Sequence, residues 1–96
     1  MSTLEILRNR RDEICAVGAA YGARDIRLFG SVARDEDGPE SDIDFLVRFE
    51  PGTTLLDQAG LISEFERLLG KKVDVVSDRG LKEGIRDRVL REATPL

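Results

Sequence analysis

Phe29-Gly30-Ser31-Val32-Ala33-Arg34, a polar stretch over 35–41, and then Asp42-Ile43-Asp44-Phe45-Leu46-Val47-Arg48-Phe49 are the part of this 96-residue chain on which the fold turns. The last eight residues alternate. Ile43, Phe45, Val47 and Phe49 leave one face of a strand, while Asp42, Asp44, Leu46 and Arg48 leave the other. Ahead of them, residues 24–29 set Ile26 and Leu28 against charged neighbours, so a second strand is expected to run into a tight turn at Gly30-Ser31. One helical turn is expected over 31–34. Residues 35–41, with Gly38 and Pro39 among charges, read as a solvent-facing loop.

Outward from this centre the chain is helical on both sides. Toward the N-terminus, Ser2 and Glu5 form a capping-box pattern ahead of Leu4, Leu7, Ile14, Val17 and Tyr21, and Gly22 can stop the element, which predicts one helix. Toward the C-terminus, Pro51-Gly52 breaks the acidic strand and Thr54 can cap a helix whose stripe is Leu55, Ala59, Ile62, Phe65 and Leu69, closed by Gly70. Residues 72–76 alternate again, with Val73 and Val75 opposite Asp74 and Val76, and predict a third strand. Leu81, Ile85 and Val89 then recur every four residues toward Pro95, in a helix that Gly84 weakens by about 1 kcal/mol relative to alanine. The expected fold is α/β of the α+β type: a small mixed three-stranded sheet covered by helices, in the order helix, strand, short helix, strand, helix, strand, helix. Each strand has an apolar face that needs a cover. At this length one domain over 1–96 is expected, with no second lobe.

Composition narrows the chemistry. Fifteen basic and nineteen acidic residues give a formal charge of −4, which disfavours nucleic acid as a general partner. The local clusters Arg8, Arg10, Arg11 and Arg86, Arg88, Arg91 read first as solvated helix faces. A lone Cys15 cannot form an internal disulfide, nothing at the N-terminus resembles a secretion signal, and no apolar run approaches the roughly 20 residues that span a bilayer; a cytoplasmic protein is expected. With no histidine, any catalysis must lean on carboxylates.

Asp42 and Asp44, two apart on a strand, put their carboxylates on one face with α-carbons about 7 Å apart, close enough to share one cation or neighbouring ones. Asp74 completes a three-carboxylate set if its strand lies beside residues 42–49. Oxygen-only ligands favour a hard ion such as magnesium. Two uncompensated carboxylates repel, so the strand carries them at a cost. Gly30-Ser31 lets backbone amides and a hydroxyl approach phosphate oxygens, although a Gly-Ser turn taken alone is explained by its conformation. Arg34 can meet phosphate or pair with Asp35 or Glu36.

Taken together, Phe29-Gly30-Ser31 and Asp42-Ile43-Asp44-Phe45 resemble the signature of the DNA polymerase beta-type nucleotidyltransferase superfamily. The longer strings 30–34, 41–47, 72–76 and 86–93 resemble its smallest branch, the minimal nucleotidyltransferases that act as antitoxins, over nearly the whole chain. The resemblance implies nucleotidyl transfer from ATP with two magnesium ions. Asp42 and Asp44 would ligate both ions, and Asp74 the ion at the acceptor hydroxyl. Gly30 and Ser31 would bind the β and γ phosphates. It also implies a partner, a helical HEPN-domain ribonuclease toxin, onto a tyrosine of which some members transfer AMP. Two residues depart from the branch: Val32 stands where arginine is common, expected to remove a phosphate contact, and Asp35 where glycine is common, expected to alter the turn. Two other readings stand beside this one: a catalytically silent antitoxin that blocks the toxin by binding, and transfer to a small molecule or an RNA end.

Overall fold

A computed structural model describes residues 1–96. Its centre is β2 (Ile43–Phe49), in which Ile43, Phe45, Leu46 and Val47 are all essentially inaccessible to solvent. On one side β2 pairs antiparallel with β1 (Ala23–Phe29), on the other parallel with β3 (Val73–Ser77). A parallel neighbour requires a crossover, and the helix between the two strands supplies it. A fourth strand, β4 (Thr94–Pro95), pairs antiparallel with β1, so the sheet order is β3-β2-β1-β4.

The sheet is mixed, as expected, but has four strands where three were predicted. β4 is two residues long and defined by distant pairing to Arg27 and Leu28, so it carries no periodicity of its own. Its proline, which lacks an N–H, suits a sheet edge.

The N-terminal helix is two helices, α1 (Thr3–Asn9) and α2 (Arg11–Ala20). Ser2 accepts from the Glu5 amide at the start of α1 as predicted. The break falls at Arg10, whose backbone leaves helical geometry at φ −106° and ψ 17°. Its guanidinium donates to the Leu68 carbonyl (3.0 Å) and pairs with Glu13, which fastens the break to another helix. No glycine or proline announces this; a tertiary contact makes it. A one-turn α3 (Gly30–Ala33) follows β1, and α4 (Leu55–Leu69) follows β2.

Thr54 and Asp57 form a reciprocal capping box at the start of α4, and Gly70 closes it in the left-handed region. The buried stripe of α4 differs from the predicted one. Leu61 and Phe65 are inaccessible and Leu68 and Leu69 pack beside them, whereas Leu55 is 81 % exposed and Ala59 faces solvent. The Phe65 ring meets Phe45 of β2 at 4.7 Å between centroids. After β3, Ser77 caps a single 3-10 turn (Asp78–Gly80), and α5 (Glu83–Glu92) begins two residues later than Leu81 suggested. Only Val89 of α5 is buried; Ile85 is half exposed.

α2 and α4 cover one sheet face, closing a core of Ile14, Ile26, Leu28, Phe45 and Phe65 among others. The other face carries Asp44, Leu46 and Arg48, with Leu46 buried there outside that main core. The two faces have different tasks: one closes the fold, the other bears charge. No helix is long and apolar enough to cross a membrane.

Candidate active site

Asp44 sits second in β2 and is half-buried, with two Cα partners: Asp74 on β3 and Phe29, the last residue of β1. The lateral spacing between paired strands is about 4.8 Å. The pairing that the sequence left open is therefore present, and Asp74 lies directly beside Asp44. Asp42 precedes β2 by one residue, where the Ile43 amide donates to the Lys72 carbonyl (3.0 Å) and fixes the chain's entry. Asp42 and Asp74 are exposed.

Burial and crowding of like charge both act on Asp44. Burial, then Asp74, then Asp42 push its carboxyl above the ordinary value, and only Arg34 opposes them. A group in this state is stabilised by a cation, because bound positive charge offsets all three causes.

The turn closes onto the same carboxylate. Gly30 has φ +72°, a conformation that side chains rarely adopt, and a Cβ built there would collide with Oδ2 of Asp44. Glycine is needed here twice, for its backbone angle and for the space. α3 opens at Gly30, so the backbone amides at the head of α3 lie at the edge of the acidic strip, with Ser31 the next residue along. The Ser31 carbonyl accepts from the Glu36 amide (2.8 Å), which folds the following loop back on the turn.

Asp35 occupies the left-handed region at φ +57°. The backbone shape that glycine would give is thus kept by an aspartate, one of the few residues that tolerates it. Val32 is 1 % exposed and belongs to the core, so its side chain points into the fold. The position where the branch commonly has arginine is thus directed inward on this backbone.

Arg34 reaches across two elements. Its Nε donates to Glu36 Oε2 (3.1 Å) and its Nη1 to Glu92 Oε2 (3.3 Å) at the end of α5. The Glu36 hydrogen bond first, and the charges of both carboxylates, raise its pKa further. Glu36 was a candidate partner in the sequence; Glu92 was not, because 58 residues separate it from Arg34 and only the packing of α5 on α3 joins them.

Asp42, Asp44, Asp74, Gly30, Ser31 and Arg34 therefore all lie around the first residues of β2. The three acids form an open strip and not a closed cage: no three histidine, cysteine or acidic side chains are gathered tightly enough to enclose an ion by themselves. Magnesium suits such a strip, since it binds through one or two carboxylates and fills its remaining positions with water and substrate phosphates. The hard oxygen donors and the uncompensated charge at Asp44 fit this ion. A polar cavity of about 230 Å³ flanks Asp42, with Lys71 and Lys72 in its wall. No cavity is lined by Asp44 or Asp74, so the strip is open to whatever docks on it.

Comparison with known proteins agrees with this geometry. Residues 8–94 match the model of the nucleotidyltransferase domain family. The protein adenylyltransferase MntA of Thermococcus cleftensis is 46% identical over 72 residues, covering 75% of this chain and 73% of that protein. A solved structure provisionally described as a minimal nucleotidyltransferase superposes with a TM-score of 0.88 at 53% identity, over 100% of this chain and 97% of the other. Two toxin–antitoxin crystal structures share the fold. One holds AMP-PNP (TM-score 0.75, 21% identity, 88% of this chain and 69% of that one), and the other is an MntA–HepT complex (0.68, 19%, 91% and 68%). With α3, the acidic strip and α5 all inside the matched span, the chain belongs to the nucleotidyltransferase domain family and is a nucleotidyltransferase.

Proposed function

We propose that residues 1–96 act as one magnesium-dependent protein adenylyltransferase domain, which moves AMP from ATP to a tyrosine hydroxyl of a helical HEPN-type ribonuclease toxin and serves as its antitoxin. The observation that carries this reading is the pairing of Asp44 with Asp74 on β3, with Gly30 pressed against the Asp44 carboxylate. Carboxylates and a phosphate-facing turn then form one site. The name of the Thermococcus relative and the toxin–antitoxin assemblies of proteins with this fold support the choice of partner. The AMP-PNP of one such assembly supports a nucleoside triphosphate donor.

In this reading Asp42 and Asp44 hold the metal ions, Asp74 holds the ion on the acceptor side, and Gly30 and Ser31 orient the β and γ phosphates. Magnesium, held by these carboxylates, would supply positive charge that offsets the charge developing in the in-line displacement. The acceptor oxygen bonds to the α-phosphorus, the bond from that phosphorus to the bridging oxygen breaks, and pyrophosphate leaves. Asp74, at the exposed end of the strip, takes the acceptor's proton. The openness of the strip suits a protein acceptor, which would bring the missing wall of the site with it.

The test is incubation of the chain with its helical partner, magnesium and ATP labelled at the α-phosphate, comparing wild type with Asp42→Asn. Label on the partner from wild type and none from the variant is expected. Equal labelling by both would remove Asp42 from the chemistry.

A further inference from the structure

The C-terminal string 86–93 has no part in the site assigned so far, and α5 buries only Val89. Its last residue nevertheless reaches the site. Glu92 accepts from Nη1 of Arg34 at 3.3 Å while Glu36 accepts from Nε at 3.1 Å, so the guanidinium is held by two carboxylates from different elements. Glu36 is only two residues from Arg34 and moves with the same loop. Glu92 comes from a separate helix and fixes the direction in which the side chain extends. The remaining nitrogen, Nη2, has no acceptor in the chain, and the Arg34 amide donates to the Gly30 carbonyl (3.2 Å), which seats the residue one turn from the glycine that abuts Asp44.

We infer that Glu92 is a positioning residue for nucleotide binding, holding Arg34 so that its unpaired Nη2 faces the triphosphate of the bound donor. This rests on the nucleotidyltransferase reading of the acidic strip and adds α5 to it. The physical reason is entropic. A free arginine side chain carries about 2 kcal/mol of rotamer entropy, part of which is lost each time it grips a phosphate. Holding it beforehand removes part of that cost. The competing account is that the Arg34–Glu92 pair only ties α5 to α3. The pair is part-exposed, with side chains 44% and 34% accessible, so by itself it stabilises the fold little.

Calorimetric titration of the whole chain with MgATP separates the two. Glu92→Gln should weaken binding about threefold to fivefold, the range an exposed charge pair can deliver. Glu92→Asp should recover part of the loss. Arg34→Ala should weaken binding about tenfold or more through its lost charge-assisted contact. In the Arg34→Ala background, Glu92→Gln should add nothing, because its effect runs through the guanidinium. Unchanged affinity in Glu92→Gln, or the same loss whether or not Arg34 is present, would overturn the inference while leaving the site intact. Failure of wild type itself to bind MgATP would overturn the nucleotide reading beneath it.

Discussion

Asp44 carries the heaviest load of any residue, since burial and two neighbouring carboxylates all act against its charge. The sign of the consequence follows from the direction of the shift. A carboxyl whose folded pKa is raised favours the protonated fold, so its ionisation costs stability as pH rises through that value, and the cost is present at neutral pH. Without divalent ions, Asp44→Asn should therefore melt higher than wild type at pH 7, and the difference should vanish below about pH 4, where both states are protonated. Magnesium should raise the wild-type melting temperature and not that of the variant. Gly30 makes the opposite prediction. Gly30→Ala forces a Cβ against the Asp44 carboxylate at φ +72°, and urea denaturation should show a loss of at least about 1–2 kcal/mol. At this scale the sequence was most readable where alternation put two acids opposite an apolar face. Asp74 was a candidate only on condition of strand pairing, and the pairing now supplies the condition. The burial of Val32 was not legible, because a four-residue helix gives too little periodicity to tell inward from outward.

Among the elements, α4 was legible at its ends and misphased in its middle. Thr54 and Gly70 announce start and stop through their local hydrogen bonding, which is a property of neighbours in sequence. Which stripe turns inward is decided by the sheet, and Leu61 replaced Ile62 as the core contact because Phe65 had to meet Phe45. Two measurements follow. Thr54→Ala removes one half of the capping box and should cost about 1 kcal/mol in chemical denaturation, with the affinity for nucleotide unchanged. Phe65→Ala empties the centre of the core and should cost about 3–5 kcal/mol. The split of α1 from α2 and the existence of β4 were not legible, because both depend on distant contacts. Arg10 reaches Leu68, and Arg8 donates to both Thr94 Oγ1 (3.0 Å) and the Pro95 carbonyl (3.1 Å). The arginine clusters thus contain structural ties as well as solvated residues.

Over the whole molecule, the sheet divides labour: α2 and α4 close one face, and the other presents acids at one end and arginines at the other. At the arginine end a cavity of about 410 Å³ is lined by Arg27 and Arg48 with Asp25, and Arg48 pairs with Asp25 and Asp78. Net charge gave no hint of this separation, since the chain is acidic overall while its basic residues gather locally. The two ends offer a nucleotide two different welcomes, carboxylates that need a metal or arginines that do not. The central claim is that the donor binds at the acidic end. A crystal structure of the chain with magnesium and a non-hydrolysable ATP analogue tests it. The account predicts metal density between Asp42 and Asp44, with the triphosphate along Gly30 and Ser31. Triphosphate density in the Arg27–Arg48 cavity, with the acidic strip bare, would contradict it.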